Sequence, residues 1–137
     1  MRYVAVAVVV GLALVVAWLA QRRRPAAPVR TGWNLPEQLD RDDFARPEAP
    51  FLVAVFTSAT CATCAEMMRK VEVLASDTVA IHEAEFGRDR RLHERYGIDA
   101  VPAVVIADSA GVVRASFLGP TTASDLWAAM AELREPG

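Results

Sequence analysis

A continuous run of apolar residues, Phe51 to Phe56, leads through a short polar turn into the only two cysteines of the chain, Cys61 and Cys64. Six consecutive apolar residues with β-branched and aromatic side chains predict a strand buried on both faces, as in the middle of a sheet. After the cysteines, apolar residues recur at helical spacing with charged residues between them, which predicts an amphipathic helix. The segment therefore predicts a strand, a turn, a cysteine pair and a helix, in that order.

The rest of the chain alternates between strand and helix patterns without an internal repeat. The predicted elements are a strand over 78–86, a short charged helix over 88–97, and two strands over 101–108 and 111–119. Ser109-Ala110-Gly111 indicates a hairpin between the last two strands, which are therefore expected to be antiparallel. Thr122 and Asp125 form a start signal for a closing amphipathic helix. Residues 37–50 leave room for a short strand and one helical turn at most.

The amino terminus carries 18 residues without a charge, Tyr3 to Ala20. As a helix this stretch is about 27 Å long, close to the roughly 30 Å of a hydrocarbon layer. A cleaved signal peptide is the rival interpretation, since Arg2 precedes the apolar run. Cleavage after Ala20 would put the bulky Trp18 where a small residue is needed. The sequence therefore predicts a retained transmembrane anchor over residues 1–21.

Residues 22–36 are rich in arginine and proline and are predicted to form a juxtamembrane linker, which leaves 37–137 as one domain. The positive-inside bias favours the arginine-rich side in the cytoplasm. We therefore expect a single-pass protein of the cell membrane, with the lipid bilayer as a partner and the side of the domain left open. From Thr31 onward there are 10 basic and 17 acidic side chains, a formal charge of −7. This acidity argues against nucleic acid as a partner.

The cysteine pair allows three interpretations: a redox-active dithiol, half of a metal site, or two small buried residues. A thiolate attacks disulfides, and the start of a helix favours an anion through its unpaired N–H groups and its dipole. Cys61 is expected in that first turn. Cys64 would lie further along the helix and be more covered. The spacing thus separates an exposed attacking thiol from a resolving partner.

A metal role is the main rival for the same sulfur atoms. Two thiolates after a strand can hold Cu(I) linearly, so a soft-metal carrier stays open. Structural zinc needs four ligands, and the spacing of His82 and His93 from the cysteines matches no common zinc motif. Both histidines are expected to be ordinary surface or strand-edge residues. No bound metal and no cofactor are predicted.

Proline opens the predicted strand at 101–108. A proline in a buried strand is tolerated at the first residue or at an edge, and a Val-Pro bond can be cis. The pattern alone leaves the cis and trans forms of Val101-Pro102 equally open.

The chain from Leu39 onward resembles the thioredoxin-fold family in LDRDDF, in FLVAVF leading to CATC, in YGIDAVPAVVIAD, in Gly111 and in FLG at 117–119. The resemblance implies an α/β, thioredoxin-like three-layer sandwich, with a mixed central sheet flanked by helices. It also implies that Cys61 is the attacking thiol and Cys64 the resolving thiol, with Val101 and a cis Pro102 beside them. In such proteins the backbone before the cis proline pairs with an extended substrate segment, a role that falls on Val101.

The sequence departs from the family at two places. Thioredoxins usually carry Trp-Cys-Gly-Pro-Cys, whereas this chain has Thr-Cys-Ala-Thr-Cys at 60–64. The residues between the cysteines tune the thiol pKa and the reduction potential, so the potential is not assigned. The position of the family's buried acid, which helps to move the proton of the resolving thiol, falls on Val55. No local substitute is evident, because Glu66 is expected to face solvent.

The predicted function is that of a membrane-anchored thioredoxin-like thiol–disulfide oxidoreductase. Its partners would be a protein thiol or disulfide substrate and an electron donor or acceptor that the sequence does not identify. Two alternatives stay open: a copper carrier that uses the same cysteines, and a thioredoxin-fold binding module without efficient catalysis.

Overall fold

The computed structural model describes residues 1–22 and 35–135, which belong to two compact units, Met1–Gly32 and Trp33–Gly137. In the first unit, helix α1 covers Arg2–Arg22. Across the described ranges, no helix has the length and apolar character needed to cross a membrane. The predicted transmembrane anchor over 1–21 is therefore not supported. Most of the predicted linker, 22–36, falls outside the described residues.

The second unit is built on a mixed four-stranded sheet with strand order β2-β1-β3-β4. The strands are β1 Phe51–Thr57, β2 Val79–Glu85, β3 Ala103–Ala107 and β4 Val113–Leu118. Strand β1 runs parallel to β2 and antiparallel to β3, and β3 pairs antiparallel with β4. Because β1 has a neighbour on each side, residues 52–57 are all buried. The predicted central strand and the predicted hairpin are both confirmed.

Three helices complete this unit: α2 Cys64–Glu72, α3 Arg90–Arg95 and α4 Ala123–Arg134. Helix α2 connects the parallel strands β1 and β2, as such a pair requires. Helix α4 begins as predicted, because the Thr122 hydroxyl accepts the backbone N–H of Asp125 at 3.1 Å. The segment before β1 contains a single 3₁₀ turn, Arg41–Asp43, and an isolated bridge between Gln38 and Val112.

Apolar side chains cover both faces of the sheet, since successive residues of a strand point to opposite sides. On one face α2 and α4 pack over the sheet, with a core formed by Val53, Val55, Met67, Val71, Leu74, Val79, Val104, Ile106, Leu126 and Met130. On the other face α3 and the segment before β1 contribute to a core that includes Leu39, Phe44, Leu52, Ala54, Phe56, Ala80, Ala84, Leu92, Ile98 and Val105. Helices thus flank a central sheet, as the resemblance implied.

One of the two histidines differs from the sequence prediction, whereas His82 lies on the edge strand β2. His93 is not a surface residue: it is 2 % exposed, and its Nε2 lies 2.8 Å from the carbonyl oxygen of Ala84. Its ring packs edge-on against Phe56 and Phe86. The sequence of α3 is mostly charged and did not indicate that His93 points inward, because only a short part of α3 faces the sheet. His82 is half-buried, burial lowers its pKa, and its Nδ1 accepts the backbone N–H of Ala45 at 3.0 Å.

The segment before β1 is fastened to the β3–β4 hairpin at Gly111. The N–H of Leu39 donates to the carbonyl of Gly111 at 2.8 Å. Gly111 has a φ of +79°, and a Cβ added there would lie 2.0 Å from the carbonyl oxygen of Leu39. Glycine is needed at this position both for the left-handed backbone and for the close approach of a second chain segment.

We expect Gly111→Ala to destabilise the domain more than Gly97→Ala. Both glycines have positive φ, but a Cβ at Gly97 meets nothing within 4 Å. Gly97→Ala should therefore lower the free energy of unfolding by only about 1–2 kcal/mol, which is the cost of placing an alanine in the left-handed conformation. Gly111→Ala adds a steric overlap worth about 1–3 kcal/mol more. Urea unfolding of the two variants measures the difference directly, and equal losses would contradict the close approach at Leu39.

Candidate active site

Cys61 and Cys64 are joined by a disulfide bond, with an S–S distance of 2.12 Å and a Cα–Cα distance of 5.4 Å. The pair lies between the end of β1 and the start of α2. Cys61 was predicted in the first helical turn, but α2 begins at Cys64. The backbone N–H of Cys61 donates to the carbonyl oxygen of Ser58, and that of Cys64 donates to the carbonyl oxygen of Cys61. Both cysteines therefore take part in turns that precede the regular hydrogen bonds of the helix. Cys61 therefore lies just before the amino-terminal end of α2.

The two sulfur-bearing residues differ in exposure, as predicted. Cys64 is 4 % exposed, whereas Cys61 is only partly covered. Cys64 precedes Met67 and Val71 by three and seven positions, and these two side chains pack on the sheet. Residues at this spacing share one side of a helix. Cys64 therefore faces the sheet, and Cys61 is the sulfur that a large substrate can reach.

Two features near Cys61 favour its thiolate in the reduced protein. The first is the start of α2, where unpaired N–H groups and the helix dipole stabilise negative charge. The second is the Thr63 hydroxyl, which lies 3.7 Å from the Cys61 Sγ. Thr63 is the residue before the helix, and its side chain makes no capping hydrogen bond. The hydroxyl is thus placed to donate to the sulfur of Cys61.

A glutamate on β2 holds the turn that carries the cysteines. The carboxylate of Glu85 accepts the backbone N–H groups of Gly87 and Arg88 at 3.0 Å and that of Ala59 at 3.2 Å. The bonds from Gly87 and Arg88 are the main causes that lower the pKa of Glu85, with a smaller contribution from Ala59. Sequence reasoning missed this residue, although an acid at a strand end just before Phe-Gly is a turn signal.

A second glutamate, Glu83 on β2, is hydrogen-bonded to the end of β1. Thr57, at the end of β1, is 1 % exposed, and its hydroxyl donates to Oε1 of Glu83 at 2.8 Å. Glu83 is the ladder partner of Val55 in the parallel β1–β2 pair. Glu83 was not a predicted site residue, because the pairing register of two strands separated by a helix is not visible in the sequence.

Val101 and Pro102 directly precede β3, and the peptide bond between them is cis. Ala103 pairs with Phe56 near the end of β1, so Val101 and Pro102 lie at the same end of the sheet as the disulfide. Pro102 is buried and Val101 is partly exposed. The topology brings the four predicted site residues to one end of the sheet, while a substrate-binding role for Val101 and Pro102 stays a prediction.

The described part of the chain contains no group of three or more His, Cys, Asp or Glu side chains arranged to hold a metal ion. The sulfur atoms of Cys61 and Cys64 are the ligands that a soft metal would use, and only their reduced form is free to bind one.

Solved structures with a similar fold include several thioredoxins. An N21Q mutant thioredoxin from Halobacterium salinarum NRC-1 has a TM-score of 0.61 and 21% identity, covering 75% of this chain and 90% of that one. The germline-specific thioredoxin Deadhead from Drosophila melanogaster has a TM-score of 0.56 and 27% identity, covering 64% and 84%. Thioredoxin O2 from Arabidopsis thaliana, in its oxidized state, has a TM-score of 0.56 and 22% identity, covering 66% and 81%. No family model and no curated protein matches the chain.

We expect Glu85→Gln to lower the stability of the domain in a pH-dependent way. The folded protein lowers the pKa of Glu85, so the stabilisation is present above the ordinary glutamate pKa of about 4.3. It is lost as the pH falls through the lower pKa of the folded state. The difference in unfolding free energy between the wild type and Glu85→Gln should therefore be constant near neutral pH and shrink in acid, as measured by urea unfolding at several pH values.

Glu94→Gln, on the exposed side of α3, serves as the control and should show no such acid-dependent difference. A wild-type advantage over Glu85→Gln that stays the same from neutral to acid pH would contradict the role of the Glu85 carboxylate.

Proposed function

We propose that this thioredoxin-fold protein is a thiol–disulfide oxidoreductase that works through Cys61 and Cys64. The observation that carries the proposal is the disulfide between them, placed at the start of a helix in a fold shared with solved thioredoxins. Two cysteines that bond to each other at this spacing can cycle between a dithiol and a disulfide. Such a cycle is the chemistry that the fold and the cysteine pair together support best.

In the reducing direction the dithiol transfers two electrons to a substrate disulfide. The Cys61 thiolate attacks one substrate sulfur, the substrate S–S bond breaks, and the other substrate sulfur leaves as a thiolate. Cys64 then loses its proton and attacks the Cys61 Sγ. The Cys61–Cys64 bond forms, the mixed disulfide breaks, and the second substrate sulfur leaves as a thiolate that takes up a proton. The reverse sequence oxidises a substrate dithiol.

The roles of the two cysteines follow from their surroundings. Cys61 is the accessible sulfur, and the helix start and the Thr63 hydroxyl both favour its thiolate. Cys64 is covered, so a protein substrate reaches it only after Cys61 has reacted. The covered position keeps the mixed disulfide short-lived, because the resolving thiol is already held beside it.

The proposed substrate is a protein disulfide or dithiol in an extended segment. Such a segment would pair with the backbone of Val101 by strand addition. Val101 is partly exposed and lies at the same end of the sheet as the disulfide. This position supports the proposed pairing of a substrate segment with its backbone. A second redox protein or small thiol would return the pair to its starting state.

Membrane attachment through residues 1–21, and the side of the membrane on which the domain lies, stay predictions of the sequence. They matter for direction, because the cytosol favours thiols and the exterior favours disulfides.

We expect Cys64→Ser to trap a mixed disulfide with a protein substrate such as insulin, and Cys61→Ser to trap none. Removing the resolving thiol blocks the second step, whereas removing the exposed thiol blocks the first. Both variants should lose turnover in an insulin reduction assay driven by dithiothreitol. Non-reducing mass spectrometry of the full-length chain detects the trapped species. Equal trapping by both variants would contradict the assignment of Cys61 as the attacking thiol.

The reduction potential of the full-length chain separates the proposal from its alternatives. Equilibration in glutathione or dithiothreitol buffers should give a reversible two-electron couple between about −300 and −100 mV, the range of known dithiol exchangers. A copper carrier would instead bind Cu(I) stoichiometrically and fail to reduce disulfides. A binding module would keep its partner interaction in Cys61→Ser. Failure of the reduced pair to reoxidise to an intramolecular disulfide would overturn the oxidoreductase proposal.

A further inference from the structure

Resolution of the mixed disulfide requires Cys64 to lose a proton, because the thiolate is the attacking form. Cys64 is nearly removed from water, and a thiol covered by apolar side chains holds its proton more tightly than an exposed one. A nearby group that accepts this proton would therefore speed the second step of the cycle.

The acceptor has to lie on the side of the sheet that α2 covers. Cys64 faces this side together with Met67 and Val71, which pack in one cluster with Val53 and Val55 of β1. Because α2 follows β1 and leads back to a parallel strand, its first turn lies over the carboxyl-terminal ends of β1 and β2. Groups at those strand ends, on the same face, are the candidates.

Glu83 meets both conditions. It is paired with Val55 across the parallel ladder. Val79 and Ile81, four and two residues before it on the same strand, pack in the cluster under α2. Since side chains alternate along a strand, Glu83 points to the same face. Its Oε1 accepts the hydroxyl of the buried Thr57 at 2.8 Å, which holds the carboxylate at the end of β1 that leads to the cysteines.

Other charged groups around this position are already engaged in the part of the chain that the structure describes. The Glu85 carboxylate, on the same face of β2, accepts three backbone N–H groups. Glu66, on α2, is exposed and paired with Lys70 at 2.8 Å. Arg88 donates from its guanidinium to the backbone carbonyl of Glu83. The Glu83 carboxylate, by contrast, is engaged by a single neutral hydroxyl.

We propose that Glu83 accepts the proton of Cys64 during resolution of the mixed disulfide, directly or through one water molecule; this rests on the oxidoreductase function proposed above. The proton moves from the Cys64 Sγ to the Glu83 carboxylate, and the thiolate attacks the Cys61 Sγ. The Cys61–Cys64 bond forms as the bond from Cys61 to the substrate breaks, and the electron pair leaves on the substrate sulfur. Glu83 then releases its proton to solvent or to the departing thiolate.

Under this proposal, Glu83 takes the place of the acid that the thioredoxin family carries at the position of Val55. The acid lies one strand away, at the ladder position directly opposite Val55. Neighbouring strands are about 4.8 Å apart. A carboxylate on β2 can therefore reach the same region beneath the first turn of α2 as an acid at the position of Val55.

The test separates the two chemical steps in one reaction. The reduced full-length chain is mixed with 5,5′-dithiobis(2-nitrobenzoate), and release of the coloured thiolate is followed by stopped flow. The first phase reports attack by Cys61, and the second reports resolution by Cys64. Glu83→Gln keeps the size of the side chain and an oxygen for the Thr57 hydroxyl. We expect it to slow the second phase about 100-fold at neutral pH and to leave the first phase within about twofold.

The pH profile of the second phase distinguishes proton transfer from a structural effect. In the wild type the rate should change little with pH around neutrality, because the Glu83 carboxylate removes the proton. In Glu83→Gln it should keep rising with pH, because solvent base must then remove the proton. Glu83→Asp keeps a carboxylate and should recover at least about tenfold of the lost rate. Equal losses in Asp and Gln variants would indicate packing and would overturn the proposal.

Glu66→Gln is the matched control, since it removes an exposed carboxylate two residues from Cys64, and it should leave both phases unchanged. A second phase in Glu83→Gln with the wild-type rate and pH profile would overturn the role of Glu83 while leaving the oxidoreductase function intact. A wild-type chain that releases the coloured thiolate without forming the Cys61–Cys64 disulfide would overturn both.

Discussion

The parallel pairing of β1 with β2 is the interaction on which the site depends. It aligns the two strands so that Thr57, the last residue of β1, pairs with Glu85, the last residue of β2. The same alignment brings Glu85 under the N–H of Ala59 and Glu83 under the hydroxyl of Thr57. A shift of one residue would turn every side chain of β2 to the opposite face and remove the two carboxylates from Thr57 and Ala59. The register of one strand pair therefore holds the reactive turn in place.

The burial of β1 on both faces explains how the two cysteines acquire different surroundings. A central strand that is covered on both faces cannot present a reactive group to solvent. The turn after Thr57 leads the chain out of the core, so the reactive cysteines can follow it. Cys61 lies on the solvent side of that turn and Cys64 on the sheet side. The difference between an attacking and a resolving sulfur thus follows from packing, since the two residues are chemically identical.

Local patterns predicted the elements well. Three of these patterns depend on only a few neighbouring residues, so each can be recognised within one segment. They are the apolar run at 51–56, the hairpin signal before Gly111 and the helix cap at Thr122. The family resemblance predicted the thioredoxin fold, which the similar solved structures confirm. The expectation for His93 was wrong because burial of one side of a short charged helix depends on the sheet beneath it. The helix start was placed too early because turn hydrogen bonds at Cys61 and Cys64 compete with the helical pattern.

The sequence by itself determined the order of strands and helices, the central position of β1 and the pairing of a Cys-x-x-Cys with a strand-opening proline. These features depend on side-chain periodicity and on residues close together in the chain. Only the tertiary structure decided which acids lie at the end of β1 and at the turn after it, because Glu83 and Glu85 reach Thr57 and Ala59 through the register of two strands that α2 separates. Contacts between residues distant in sequence are set by how complete layers pack, and no single segment carries that information.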